Sequence, residues 1–232
     1  MSPAGPGTER RAYRAPQRQA GALATRRRIR QAAHRLFLEH GYAATSMKAV
    51  AHQAGVAEKT IYLQYTTKTA LLKEVVEVTI VGDDDPVPAA GRQWFRNILA
   101  APDPAEKLRL LVEGTCALHE RTGPVFTMAR GAAAVDPEVA VLWDAGKRGH
   151  RHDMTILAND VTAAGMLPTG TDIDWATALL YSLLGPETWH LLRSELGMSA
   201  EAYRYWLATT LHQDLGVGFV IGRGEGSSLS AS

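Results

Sequence analysis

The sequence has only one cysteine, Cys116, so no disulfide bond can form within the chain. It has no apolar run of the roughly 18 residues that cross a membrane. The arginine-rich N-terminus is not followed by the apolar segment of a secretory signal. These absences favour a cytoplasmic protein without a membrane partner, because unpaired thiols persist in a reducing compartment.

Acidic residues are scarce in the first part of the chain. Residues 1–68 contain 12 Lys and Arg but only 3 Asp and Glu, a net charge of +9. Residues 69–232 contain 13 Lys and Arg against 21 Asp and Glu, a net charge of −8. A basic head followed by an acidic body is typical of a polyanion-binding domain joined to a domain with another task.

Alternation of apolar and polar residues, the signal of a β-strand, is also missing, so we predict an all-α protein. The 46% of hydrophobic residues is enough for a packed core. A first helix is predicted from Thr25 to a stop at Gly41. Its apolar face comprises Ile29, Ala32, Ala33, Leu36 and Phe37.

Two short helices follow. One begins after Thr45 or Ser46, either of which can cap it, and ends at Gly55, where glycine permits the positive φ of a tight turn. The next runs from about Ala57 to Tyr65. Two short helices joined in this way form a helix-turn-helix, which places its second helix in the major groove of DNA.

The remainder reads as helices separated by glycine and proline, about nine in total. After a fourth helix from Thr67 to Gly82, we predict helices at 94–99, 104–121, 124–134 and 137–165. Another begins at Asp172 or Asp174 and either ends before Gly185-Pro186 or passes it with a kink, and Ser199 caps the last. The predicted divisions are a flexible basic arm (1–22), a helix-turn-helix domain (23–68), a second domain (69–221) and a disordered tail (222–232).

The segment from Gly41 to Lys68 resembles the TetR family of bacterial regulators, and the resemblance extends over residues 25–75. The shared features are Gly41-Tyr42, Thr45-Ser46, Ala54-Gly55-Val56, Thr60-Ile61-Tyr62, Tyr65, Lys68 and Leu71-Leu72. Ala57 departs from the family, which usually has a capping Ser or Thr there, and so do Leu63 and Gln64. The resemblance implies a three-helix DNA-binding domain and a larger C-terminal helical domain for ligand binding and dimerisation.

Several residues of this segment carry expected DNA contacts. By the resemblance, Thr45, Tyr62, Gln64 and Lys68 contact phosphate, which fixes register. Glu58, Lys59, Thr60 and Leu63 are expected at base edges, where lysine suits guanine, glutamate suits cytosine and leucine suits the thymine methyl group. Arg26 and the arm are expected in the flanking minor groove or on the backbone, and Ser46 completes the set.

The C-terminal domain of such a protein implies a ligand cavity and a dimer interface. Aromatic residues commonly line apolar cavities, and ordinary core packing is the alternative. The candidate ligand-binding residues are Trp94, Phe95, Cys116, His119, Phe126, Met128, Arg130 and Trp143. The candidate interface residues, on the last two helices, are Trp175, Leu179, Leu183, Tyr203, Trp206 and Leu207.

Three other groups of residues are weaker candidates for a metal or catalytic site. Asp83–Asp85 fit a solvated loop better than a cation site, since no further ligand spacing follows. His150 and His152 point apart on a helix, and Cys116 with His119 lacks an acidic third member. We therefore expect no metal, no cofactor, no catalytic residue and no enzyme activity.

The sequence thus predicts a regulator that binds a palindromic operator as a homodimer and is released by a small, largely apolar effector. Repression is the favoured mode, and activation stays open. A sequence-tolerant DNA-binding protein without an effector is one alternative, and a helical enzyme with a basic tail is the other.

Overall fold

A computed structural model describes residues 7–81 and 92–215, with side chains from residue 20 to 80 and from 92 onward. All regular structure in these ranges is helical, which confirms the all-α prediction. None of the helices there is long and apolar enough to span a membrane. The helices are α1 Gly7–Ala44, α2 Met47–Gln53, α3 Glu58–Gln64, α4 Lys68–Val81, α5 Gln93–Ala100, α6 Pro104–Ala133, α7 Pro137–Ala163, α8 Ile173–Leu183, α9 Pro186–Trp189 and α10 Ala200–Asp214, with a π-helical segment His190–Glu195 after α9.

Helix α1 begins well before the predicted start at Thr25. Residues 7–22, predicted to be a flexible arm, are helical. The physical reason is composition, because Ala, Arg, Gln and Leu dominate residues 17–28 and all favour helix. The predicted tail at 222–232 and the aspartates at 83–85 lie outside the described residues.

The turns of the N-terminal part form where glycine and serine predict them. Gly41 has φ 79° and ψ 162°, which interrupts α1 at the expected stop. Ser46, rather than Thr45, caps α2, since its Oγ accepts a hydrogen bond from the Ala49 N–H at 3.1 Å. Gly55 has φ 64°, as the tight turn between α2 and α3 requires.

The prediction of a break at Gly123-Pro124 is wrong. Helix α6 runs through Pro124 to Ala133. Proline has a φ compatible with helix and costs one backbone hydrogen bond, and burial of Val125 and Ala129 just beyond it offsets that loss.

The later caps resolve two alternatives. Asp172 caps α8, because its Oδ1 accepts from the Asp174 N–H at 2.9 Å. Helix α8 ends at Leu183, and Pro186 starts a new helix at its first turn instead of continuing the old one with a kink. Ser199 caps α10 as predicted, with its Oγ 3.1 Å from the Ala202 nitrogen.

The chain divides into two compact units, and each has its own core. The head unit comprises Met1–Ala89 and Leu118–Gly149, and the body unit comprises Ala90–Ala117 and His150–Ser232. This division differs from the predicted boundary at residue 68. The reason lies in packing, since α4 and residues 132 and 139 bury side chains in the same core as α1 to α3.

Candidate nucleic-acid interface

Helix α3 presents one face outward and buries the other. Ile61 is fully buried and anchors α3 in the head core, and Tyr65 is buried just beyond its end. Glu58, Lys59, Tyr62 and Leu63 share the opposite face and are exposed. Leu63 is 77% exposed, so its side chain is open to contact on this outward face.

The turn between α2 and α3 fixes the direction of that face. The Val56 N–H donates to the Ala51 carbonyl at 3.0 Å, and the Gly55 N–H donates to the His52 carbonyl at 3.1 Å. Ala51 is buried where the helices approach each other. A small side chain and a left-handed glycine therefore hold α3 against α2.

The start of α3 lacks a side-chain cap, as the presence of Ala57 predicts. A backbone bond from the Thr60 N–H to the Ala57 carbonyl, 2.8 Å long, closes the first turn instead. Substituting a capping residue is generally worth about 1 kcal/mol. Helix α3 thus depends on the burial of Ile61 more than on its own terminus.

Thr45 and Lys68, both expected to contact phosphate, contact backbone carbonyl oxygens within the head unit. Thr45 is buried, and its hydroxyl lies within hydrogen-bond distance of two carbonyl oxygens, that of Gly41 at 2.8 Å and that of Leu36 at 3.1 Å. Because a hydroxyl has one proton, none is left for a phosphate. Thr45 closes the end of α1 and does not reach the surface.

The Lys68 ammonium also binds backbone. It donates to the carbonyl oxygens of Tyr42 at 2.8 Å and Thr45 at 3.1 Å, and a third carbonyl, that of Ala43, lies 3.5 Å away. It stands 4.1 Å from the centre of the Tyr42 ring. Burial lowers the pKa of Lys68, and Asp136 partly opposes this. The ammonium therefore caps the end of α1, and the phosphate contact expected of Lys68 stays a prediction.

Arg26 is engaged within the head unit. Its guanidinium pairs with the Glu74 carboxylate on α4, at 2.9 Å from Nε and 2.5 Å from Nη2, and lies over the Tyr65 ring. The hydrogen bonds that Arg26 donates to Glu74 raise the pKa of Arg26. Arg30, one turn later, meets the same carboxylate at 3.3 Å. Arg26 thus ties α1 to α4 instead of projecting freely.

The remaining predicted residues differ in what they can offer. Ser46 is exposed, and its O–H can still donate while its Oγ caps α2. Thr60 is partly buried. Gln64 is partly buried as well, and its Oε1 finds no donor among the described residues, which leaves the amide nitrogen as its outward donor.

Sequence reasoning missed one cation near the turn. The Arg28 Nη1 lies 4.0 Å from the point where a Cβ on Gly55 would stand, so this exposed guanidinium is beside the helix-turn-helix. The helical phase of α1 holds the signal, because residues 26 and 30 share the face towards α4 and residue 28 does not.

The eight predicted ligand-binding residues divide between the units. In the body unit, Phe95 and Cys116 are buried in the core, and Trp94 packs so closely on Gly114 that a Cβ there would lie 3.2 Å from its ring. The head unit holds the rest. His119 is buried, Phe126 and Trp143 meet edge to face at 6.1 Å, Met128 packs on the head core and Arg130 is exposed.

The predicted interface residues divide by exposure. Trp175 on α8 is 54% exposed, and Leu179, Leu183 and Trp206 are partly buried. Tyr203 and Leu207 are buried in the body core, so they are corrected to core residues. The sequence held the signal for this, because positions 203, 207 and 211 form one inward stripe.

The outward face of this region carries residues that sequence reasoning missed. Tyr205 on α10 is 60% exposed, and Leu191 and Leu196 before it are exposed as well. For Tyr205, the position two residues after the buried Tyr203 on the same helix predicts this exposure.

A family model described as bacterial regulatory proteins, tetR family, matches residues 29–75. Those residues span α1 from Ile29, the helix-turn-helix and α4 to Val75. No curated protein matches the chain.

Several solved structures share the fold. The complex of SmeT with triclosan has a TM-score of 0.64 and 17% identity, and covers 89% of this chain and 100% of its own. A transcriptional regulator from Saccharomonospora viridis in complex with choline has a TM-score of 0.62 and 19% identity, over 82% and 96%. NalD, the secondary repressor of the MexAB-OprM multidrug efflux pump in Pseudomonas aeruginosa, has a TM-score of 0.61 and 19% identity, over 83% and 97%.

At these identities the solved structures show the fold, and the match at residues 29–75 shows the DNA-binding head. Residues 29–75 therefore match the head of the tetR family of bacterial regulatory proteins, and the chain as a whole is similar in fold to transcriptional regulators of known structure.

Proposed function

We propose that the protein binds a palindromic operator as a homodimer, represses transcription there, and is released by a small, largely apolar effector. The observation that carries the DNA-binding part is the outward face of α3, formed by Glu58, Lys59, Tyr62 and Leu63. This face is held by a buried Ile61 and a fixed turn, so it can enter a major groove without rearrangement.

The chemistry of that face suits direct readout. Lys59 can donate to guanine acceptors, and Glu58 can accept from a cytosine amino group. The exposed Leu63 side chain suits a thymine methyl group, and the Tyr62 hydroxyl suits a phosphate. With Thr45, Lys68 and Arg26 engaged in the head, phosphate contact falls to Ser46, Tyr62, Gln64 and the exposed Arg28.

A homodimer is required because one short helix reads only a few base pairs. Two copies whose recognition helices lie about 34–36 Å apart read two half-sites of a palindrome. Support for an interface comes from the exposed Trp175 on α8 and Tyr205 on α10, with partly buried Leu179, Leu183 and Trp206 beside them. Large exposed apolar side chains on these two helices favour burial against a second copy.

Relatives of the same fold support the proposed effector. Two relatives of the same fold hold small molecules, choline in one and triclosan in another, and this supports a sensing role here. An effector releases DNA only if it binds the DNA-incompetent form more tightly than the competent one. The aromatic residues proposed for its contacts form two separate candidate groups, Trp94 and Phe95 in the body unit and Phe126 and Trp143 in the head unit.

The test is selection of bound DNA from random oligonucleotides, followed by anisotropy titrations of the selected site. We expect a two-fold symmetric motif, and Lys59→Met should cost about 1–3 kcal/mol on that site and relax preference at one position of each half-site. Arg204→Met, an exposed change in the body unit, is the control. An asymmetric or absent motif would overturn the operator proposal and favour sequence-tolerant binding.

The effector part has its own test. Triclosan and other apolar molecules are titrated into the protein–operator complex, and release is followed by anisotropy. If a broad panel of such molecules leaves the affinity for the operator unchanged, the sensing role fails while operator binding stands.

A further inference from the structure

A groove of about 720 Å³ lies in the head unit between α1 and α4. Its volume is in the range of small-molecule sites. One face of α1 and one face of α4 form its walls, since the lining positions recur at helical spacing on each. The residues that matter for its chemistry are Arg30, His34, Arg35 and Leu38 on α1, and Val75 and Val78 on α4.

The floor of the groove is apolar. Val75 is almost fully buried and belongs to the head core, so it forms the base. Val78 is only partly buried, and Leu38 is 38% exposed, although both are large enough to fill core space. Covering exposed apolar surface beside a packed core with a hydrocarbon is favourable, because it removes that surface from water.

The rim of the groove is mainly cationic. The Arg30 side chain is only 11% exposed and is held by Glu74 at 3.3 Å, so its position is fixed before any ligand arrives. Arg35 is exposed at the rim and His34 is partly buried beside it. Glu39 adds a negative charge and lies 3.9 Å from the neighbouring His40 ring.

A further cation lies at the end of α4. The Arg121 guanidinium donates to the carbonyl oxygens of Thr79 at 2.9 Å and Ile80 at 2.8 Å, and Thr79 lines the groove. Counting Arg30, Arg35 and Arg121 against Glu39 and Glu74, positive charge exceeds negative charge around an apolar floor. This arrangement complements a molecule with one anionic end and one apolar end.

We propose that this groove binds a small amphipathic anion, with its head group at Arg35 and its hydrocarbon on Leu38, Val75 and Val78. The site is distinct from the eight aromatic and polar residues expected to contact an effector. None of those eight lines this groove.

The position of the groove gives such a ligand a consequence for DNA binding. The same two helices are joined by the Arg26–Glu74 pair and by the Lys68 ammonium at the end of α1. A molecule seated between them changes the spacing of α1 and α4, and with it the support of α2 and α3. This consequence rests on the proposed operator binding, whereas occupancy of the groove does not.

The first experiment measures binding to the full-length protein by isothermal titration calorimetry. The probes are decanoate, decanol and decyltrimethylammonium, each below its aggregation threshold. We expect decanoate to bind and the neutral and cationic probes to bind roughly tenfold more weakly. Equal affinity for decanol and decanoate would overturn the assignment of an anion site.

Matched variants locate the binding. Arg35→Glu reverses the rim charge at an exposed position, and Val78→Trp fills the groove. Both should weaken decanoate about tenfold. Their controls are Arg204→Glu on α10 and Val141→Trp at an exposed position of α7, which should change the affinity less than about twofold.

Arg35→Glu keeps the test valid if Val78→Trp proves unstable in a thermal melt, because residue 35 is outside the core. Wild-type affinity in folded Arg35→Glu protein would show that decanoate binds elsewhere and overturn the proposal. If decanoate binds the protein but leaves its affinity for the selected operator unchanged, only the proposed effect of the groove on DNA binding is refuted. If no operator sequence can be selected, the proposed function is refuted, whereas the proposal that the groove binds an amphipathic anion is unaffected.

Discussion

Two lysines, one in each unit, hold the ends of helices in different surroundings. In the head, the Lys68 ammonium binds the carbonyl oxygens of Tyr42 and Thr45 at the end of α1, beside an aromatic ring and partly open to solvent. In the body, the Lys107 ammonium binds the carbonyl oxygens of Ile98 and Leu99 at the end of α5, and is buried.

The difference between them is a carboxylate. Lys107 also pairs with Asp160 at 2.6 Å, whereas Lys68 has the face of Tyr42. A charge buried with one partner depends strongly on that partner, and a charge near the surface can fall back on water. The comparison teaches that a lysine near a helix end should be considered for binding the free carbonyl oxygens of that end before it is assigned a contact with DNA phosphate.

The largest effect is expected at the body lysine. Lys107→Met leaves the Asp160 carboxylate without its counter-charge and removes a hydrogen bond from the carbonyl oxygens of Ile98 and Leu99, which should lower the free energy of unfolding by about 3 kcal/mol. Urea unfolding followed by tryptophan fluorescence at fixed protein concentration measures it.

The control for that change is Lys147→Met, which removes an exposed pair with Asp144 and should cost less than about 1 kcal/mol. Equal losses in the two variants would mean that burial of Lys107 carries no special weight, and the contrast between the two units would disappear.

Lys68→Met should have a smaller effect on stability, about 1–2 kcal/mol, because water can reach the freed carbonyl oxygens. If Lys68 does not touch phosphate, the slope of log affinity against log salt for operator DNA stays that of the wild type. Lys59→Met should show the reverse pattern, with unchanged stability and weaker operator binding. A slope reduced by about one in Lys68→Met would restore the phosphate contact.

The contribution of Glu74 to the stability of the head unit should depend on pH. Burial opposes its charge, but hydrogen bonds from Arg26 outweigh this and hold the pKa of Glu74 below its ordinary 4.5. A depressed carboxyl pKa contributes stability that is present above the ordinary pKa and is lost as pH falls through the folded-state value. Glu74→Gln should therefore be about 1 kcal/mol less stable than wild type at neutral pH.

That gap should begin to close as the pH falls below 4.5, the ordinary pKa of the unfolded carboxyl, and should vanish once the pH has passed the lower pKa of Glu74 in the folded protein. Urea unfolding at a series of pH values measures it. Glu77→Gln, which removes an exposed pair with Lys73 on the same helix, serves as the control and should show little gap at any pH. A gap for Glu74→Gln that is independent of pH would exclude ionisation as its cause.

The head could be predicted further from sequence than the body. The helix-turn-helix follows from local signals, namely a cap at Ser46, a positive φ at Gly55 and the apolar spacing that buries Ile61. The partners of long charged side chains could not be predicted from the sequence. Lys68 reaches back more than twenty residues to bind Tyr42, and Arg26 pairs with Glu74, because packing of α1 on α4 brings them together.

The body shows a related limit. Periodicity separates the inward face of α10 from its outward face, and so distinguishes Tyr203 from Tyr205. Aromatic character alone does not, and it led to buried residues being expected at an interface. Pro124 shows the limit of local rules, since a residue that breaks many helices is tolerated where flanking side chains are buried on the same face.

The smallest effect on stability is expected at Leu63, on the outward face of α3. Its side chain is 77% exposed, so Leu63→Ala removes almost no buried surface and should change the free energy of unfolding by less than about 0.5 kcal/mol. Operator affinity should nevertheless fall about fivefold if the side chain covers a thymine methyl group. Replacing that thymine by uracil should weaken the wild type to a similar degree and leave Leu63→Ala nearly unaffected, because each change removes the same contact. Independent losses from the two changes would mean that Leu63 acts through the position of α3 and not by touching the base.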